Sequence, residues 1–183
     1  RGSLSGHYWI AWVGLTFSIA AEFAFAYWSS ALVHLRTGLS PARSITLVLG
    51  YPLGMMVGRW FGTYVLPKLS RDKRLIILIA LQFAGFVIVW NSHQILLSFI
   101  GILFFGLGTS MQFALTSLRI LHFGGDKPDL AMGKSSLAAG IAIGGSPFFL
   151  GFLSDQIGIS RGFLMVPIAI AIAFFVVVLV PAR

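Results

Sequence analysis

Residues 8–33 read YWIAWVGLTFSIAAEFAFAYWSSALV, and Glu22 is the one charged residue in the stretch. A helix needs about 20 apolar residues to cross roughly 30 Å of hydrocarbon, so this run is long enough to span a bilayer. Its apolar residues do not keep to one stripe, as they would on a helix with a solvated face. Nor do they alternate with polar ones, as in a strand of a membrane barrel. Five further stretches follow the same pattern at about 44–66, 75–90, 95–118, 132–153 and 163–180; the second is interrupted by Arg59 and the third is short. The separators RTGLSPAR (36–43), KLSRDKR (68–74), NSHQ (91–94), HFGGDKPD (122–129) and SDQIGISRG (154–162) carry the Gly, Pro, Asn, Asp and Ser that end helices. Hydrophobic residues make up 57% of the chain and charged residues 10%, against about 25% charged in a soluble domain. These features predict an all-α membrane protein, with residues 1–183 forming a single six-helix bundle in the lipid bilayer.

The basic residues set its expected orientation. Six crossings put both ends of the chain on one side, together with Arg1, Lys68, Arg71, Lys73, Arg74, Arg119, Lys127, Lys134 and Arg183. The other side holds Arg36, Arg43 and Arg161. Basic residues concentrate on the cytoplasmic side of membrane proteins, so both termini are expected in the cytoplasm. The loop NSHQ divides the crossings into two sets of three. Because each set has an odd number, the second begins on the opposite side from the first, giving two inverted three-helix repeats. The net charge of +8 is dispersed between apolar runs rather than gathered into a stripe, and no nucleic-acid motif accompanies it. The absence of cysteine removes disulfides and thiol chemistry. The sequence begins at Arg1 rather than Met, which suggests a piece of a longer chain or a processed product.

Glu22 is the sharpest functional candidate. A central acid costs about 2.5–3.5 kcal/mol on insertion scales, so such residues face a bundle interior or a watery cavity and mark ion pathways. A carboxyl at that depth can take up and release a proton, since desolvation disfavours its charged form. Ser18 and Ser29 share its helical face; the structural alternative is a hydrogen bond to a neighbouring helix. Arg59 lies nearer the cytoplasmic side and can reach the interface along its aliphatic stem, which makes direct contact with Glu22 unexpected. Thr109, Gln112, Thr116 and Arg119 form one stripe on the fourth span, able either to border a substrate path or to hydrogen-bond between helices at about 0.6 kcal/mol each. Gly140, Gly144, Gly145 and Gly151 suggest close helix packing, with Pro147 as a kink. Tyr51 and Pro52 suggest a second kink. Asp155 and Arg161 lie close enough in sequence to pair. His7, His34, His93 and His122 share no metal-ligand spacing, no catalytic motif is present, and neither metal nor cofactor is expected.

Three passages resemble the major facilitator superfamily, specifically the C-terminal six-helix half of its transporters. Gly54-Met-Met-Val-Gly58-Arg59-Trp-Phe-Gly62, with the basic loop after it, is similar to the signature between the second and third helices of each half. It lacks the acidic residue usual there, which leaves the family's clamp without its acid. Phe105-Gly-Leu-Gly-Thr-Ser-Met-Gln112 is the second passage. The third runs from Met132 to Phe163 and carries GIAIGGSPFFLGFLSDQIGISRGF, a Gly-rich helix ending in G-x-L-x-D-x-x-G before a basic residue and a new helix. The resemblance implies a secondary active transporter for a small-molecule substrate, working by alternating access with a missing N-terminal six-helix half or a second copy of this chain. It implies gating or structural roles for Gly58, Arg59 and Gly62, and the same roles are expected of Arg119, Asp155 and Arg161. The alternative reading is a non-transporting membrane scaffold or receptor-like module.

Overall fold

Serine hydroxyls open three of the helices. Ser5, Ser40 and Ser70 each accept a hydrogen bond from a backbone N–H in the first turn that follows, satisfying donors that have no partner within the helix. The computed structural model describes residues 3–182, so Arg1 and Arg183 lie outside the described residues. Helix α1 (Gly6–Thr37) ends at Gly38, whose left-handed φ of 70° lets its N–H close on the His34 carbonyl. Then come α2 (Pro41–Val48), α3 (Gly50–Val65), α4 (Arg71–Asn91), α5 (Ile95–Thr109), α6 (Gln112–Gly124), α7 (Pro128–Ile157), α8 (Ile159–Gly162) and α9 (Met165–Leu179).

These nine elements make six crossings. Helices α1, α4 and α7 each cross alone, while α2 with α3, α5 with α6, and α8 with α9 are crossings interrupted near one end or in the middle. Five stretches are long and apolar enough to span by length and composition: Gly6–Thr37, Arg71–Asn91, Ile95–Gly124, Pro128–Ile157 and Ile159–Leu179. The sixth crossing is split between α2 and α3. Two of the interruptions have a direct cause. Pro52 has no N–H to give the Val48 carbonyl, and α2 stops at Val48; Pro167 likewise cannot serve Phe163, which lies between α8 and α9. The break at Ser110–Met111 has no proline; there the Ser110 hydroxyl bonds the Leu107 carbonyl at 2.7 Å and the Gln112 side chain bonds that of Gly108 at 3.0 Å.

The contacts show a two-fold relation between the halves of the chain. Helix α1 packs against α7 and α9, and the equivalent α5–α6 crossing packs against α3 and α4. Two of the three pairs of corresponding crossings, α1 with α6 and α4 with α9, also meet directly. This is the pattern of two three-helix units exchanging their first helices. Residues near 5, 72, 123, 131 and 180 gather at one end of the bundle, where Tyr8 Oη donates to the Ala131 carbonyl at 2.7 Å and Ala182 N to Asp72 at 2.7 Å. The opposite end gathers residues near 36, 90 and 160, where Arg36 and Trp90 both bond Ser160.

The seam between α3 and α5 runs on glycine. Gly50, Gly54, Gly58 and Gly62 recur every four residues and are all buried. A Cβ on Gly54 would overlap the Leu103 carbonyl, and one on Gly106 would overlap that of Tyr51. Gly85, Gly101 and Gly108 bring α4 equally close to α5. The fifth crossing differs from the packing its glycines suggest. Gly140, Gly144 and Gly145 of α7 have no atom close enough to meet an added Cβ, whereas Gly151 lies against Trp28. The glycines of α7 therefore lie mostly on a face that the described residues leave open.

Gly54→Val should cost more than about 1–3 kcal/mol, the usual range for overpacking, because backbone carbonyls cannot move aside as side chains do. Gly144→Ala should leave stability unchanged or slightly raised. Thermal unfolding of the two variants in detergent, followed by size-exclusion chromatography, separates these outcomes.

Candidate functional site

Glu22 lies midway along α1, half buried, and accepts a hydrogen bond from Tyr51 Oη at 3.1 Å. Tyr51 stands in the first turn of α3, immediately after the break enforced by Pro52. The Tyr51 ring packs beside Phe25 and Phe105, whose own rings are stacked at 3.7 Å between centroids. An aromatic cluster thus holds the phenol against the carboxylate. Glu22 forms no salt bridge among the described residues.

Arg59 is exposed on α3 and donates through Nε to the Ser110 carbonyl at 3.1 Å. That carbonyl belongs to the break between α5 and α6, where a backbone acceptor is free. Each of the two charged residues placed inside a span by the sequence therefore lies at an interrupted helix, Glu22 beside the α2–α3 break and Arg59 on the α5–α6 break. Beside Arg59, a shallow groove of about 590 Å³ runs along α3 past Pro52, Met55 and Tyr64. Gly58 and Gly62, on the opposite face, are packed against Ser110 and Met111.

The polar stripe of the fourth crossing faces the bundle interior. Thr109, Gln112 and Thr116 are buried, and their polar atoms are partnered. Ser18 Oγ donates to Gln112 Oε1 at 2.8 Å, Gln112 Nε2 to Gln82 Oε1 at 2.8 Å, and Gln82 Nε2 to Thr109 Oγ1 at 3.1 Å. Thr116 bonds back to the Gln112 carbonyl. The chain of hydrogen bonds joins α1, α4, α5 and α6 across the α5–α6 break. Gln82 links Gln112 to Thr109, and no periodicity on its own helix singled it out. Ser29 is fully buried and its hydroxyl has no partner among the described residues.

Arg119, at the end of the stripe, is 2% exposed and forms an ion pair with Asp72 of α4. Its Nη2 also donates to the Val180 carbonyl, while Asp72 Oδ2 accepts from Ala182 N. This clamp joins the start of α4, the middle of α6 and the segment after α9. Asp72 was hidden in the sequence by its basic neighbours; the available signal was that it is the one acid in KLSRDKR and falls in the first turn of a helix. Asp155 and Arg161 do not pair, because Gly158, with a left-handed φ of 84°, turns the chain between them.

Asp72→Asn leaves the Arg119 guanidinium buried without its counter-charge, and loss of one partner of a buried pair costs about 3–5 kcal/mol. The double variant Asp72→Asn with Arg119→Leu should recover part of that loss. Thermal unfolding of the two variants and the unmodified chain tests this.

No family model and no curated protein matches the chain by sequence. Among solved structures, the chain is similar to the crystal structure of FucP, a major facilitator superfamily transporter, in the outward conformation: TM-score 0.81, 19% identity, 97% of this chain and 43% of that one. The chain thus spans less than half the length of that transporter. The six-crossing bundle, with its exchanged first helices, is the fold of one part of a major facilitator superfamily transporter.

Proposed function

We propose that this chain forms the C-terminal half of a secondary active transporter, moving a small solute by alternating access, with proton movement coupled through Glu22. The observation that carries the proposal is the Glu22–Tyr51 hydrogen bond at the α2–α3 break. Ionisable groups inside a membrane mark ion and substrate pathways, and interrupted helices supply the free backbone groups that transporters use near their binding sites. The likeness to a transporter fold agrees with this reading. In it, Tyr51 orients the carboxylate, Arg59 senses the opposite half through the α3 groove, and the Ser18–Gln112–Gln82–Thr109 network keeps the three-helix units moving as one body. Ser29 and Thr116, on the same faces as Glu22 and Gln112, border the path when it opens.

Two exposed faces fit a second half. On α3, Met56, Trp60 and Tyr64 are all more than 60% exposed; on α7, Leu137, Ile141 and Phe148 project beside the open glycines. Corresponding helices of the two repeats therefore present the apolar surface that another six-helix unit would cover, with substrate held between the halves. On the basic-residue count, this reading has both chain termini in the cytoplasm.

Glu22→Gln should abolish the pH-gradient dependence of transport by the native gene product in vesicles. Unchanged proton-coupled flux would sink the coupling role. Tyr51→Phe removes one hydrogen bond to a charged group, about 1.5 kcal/mol, so the coupled rate should fall about tenfold. This chain has no cysteine, so Met55→Cys reports access cleanly once any cysteines elsewhere in the native product are replaced. Reactivity that alternates between the two sides on adding substrate supports transport, and constant reactivity supports the scaffold reading. An intact mass near twice 19.9 kDa for the native product would identify a covalent first half; a mass near 19.9 kDa would point to a second copy.

A further inference from the structure

Helices α7 and α9 both pack on α1, and α8 ties them together at the end of the bundle that holds residues 36 and 160. Between them lies a groove of about 890 Å³. Phe17 and Ala20 of α1 form its floor, with Phe149 and Leu153 of α7 and Leu164 and Ile168 of α9 as walls. Its charged groups are confined to its mouth, where Arg36 and Arg161 stand with Ser160 and Trp90.

Neither arginine has a carboxylate partner among the described residues. Arg36 is held in place from two sides: Nη2 donates to Ser160 Oγ at 2.6 Å, and Cζ lies 5.0 Å from the centroid of the Trp90 ring. Its Nε–H is buried without an acceptor among the described residues. Trp90 is itself fixed by Nε1 donating to the Ser160 carbonyl at 2.9 Å. A tryptophan with one apolar face and a satisfied N–H is typical of the level where headgroups meet hydrocarbon. From Ala20 to Arg36 the α1 axis rises about 24 Å, at 1.5 Å per residue, close to one bilayer leaflet with its headgroups.

We infer that this groove seats an anionic phospholipid, with its phosphate on Arg36 and Arg161 and an acyl chain along the apolar walls. Two guanidinium groups without a carboxylate partner favour a phosphate, which accepts from planar N–H pairs. A free anion would leave the apolar length of the groove unused, and a neutral tail would leave both cations unpaired. The site lies away from Glu22 and Tyr51 and stands independently of the transport reading.

The test uses the native gene product, stripped of lipid by detergent exchange and titrated with mixed micelles of phosphatidylglycerol or phosphatidylcholine. Native mass spectrometry reads the retained lipid. The expected result is retention of phosphatidylglycerol about tenfold above phosphatidylcholine, falling to parity in Arg36→Gln with Arg161→Gln. Ile168→Trp, which fills the groove without changing charge, should lower retention of both lipids. Arg161→Gln alone, at an exposed position, keeps the test open if loss of Arg36 from the Trp90 face impairs folding; it should remove most of the preference. Equal retention of the two lipids, a preference untouched by the glutamine variants, or displacement of lipid by a millimolar excess of inorganic phosphate would each overturn the assignment.

Discussion

Helices in hydrocarbon gain little from hiding apolar surface from one another, since lipid is as apolar as leucine. What holds them together is close approach of backbones and the polar contacts it permits. In this chain that approach is concentrated on α5, where Gly54 and Gly106 admit α3 and Gly85, Gly101 and Gly108 admit α4. The short distance between α3 and α5 then allows the rest of the site to exist. It puts Arg59 within reach of the Ser110 carbonyl and places the Tyr51 ring beside Phe105. With bulkier seam residues, the phenol of Tyr51 would stand too far from α1 to meet Glu22.

The corresponding seam in the other repeat is built differently. Helix α1 packs on α7 through larger side chains, with Tyr8 bonding Ala131, Trp12 bonding the Lys134 carbonyl and Trp28 bonding that of Pro147. Each of these spans a wider gap by an aromatic side chain ending in a donor. The two repeats share a topology, but one is joined by backbone proximity and the other by long side chains. That difference leaves the glycines of α7 open on its outer face while those of α3 are covered.

How far the structure was legible follows from which forces act locally. The six crossings show in the sequence because a bilayer demands long apolar runs, and the break before Pro52 because proline acts on its own helix; the break at Phe163, before Pro167, was not read. The interruption at Ser110 carries no such mark, since it is sustained by side chains folding back onto carbonyls of the preceding turn. Glu22 stands out as a lone acid in an apolar run, but its partner Tyr51 lies on another crossing and is found only when the helices are packed. The face shared by Thr109, Gln112 and Thr116 was visible from spacing. What that face meets was not, because periodicity states which residues point the same way and says nothing of the neighbour; Gln82 and Ser18 supply that answer. Asp72 was masked by the basic residues around it, and the pairing suggested for Asp155 and Arg161 is cancelled by the turn at Gly158.

The clamp around Arg119 bears on how the bundle comes together in time. Arg119 and Asp72 belong to the fourth and third crossings, but two of the clamp's hydrogen bonds involve residues 180 and 182. During synthesis the arginine and aspartate enter the membrane long before those backbone groups exist. Until then they have only each other and water from the adjacent interface to satisfy them. The last crossing closes on a polar junction that has been waiting, open, since the fourth was made, and its arrival dries that junction. Completion of the bundle is therefore registered at one buried charge pair, so that a bundle without residues 180–182 is chemically distinguishable from one that has them.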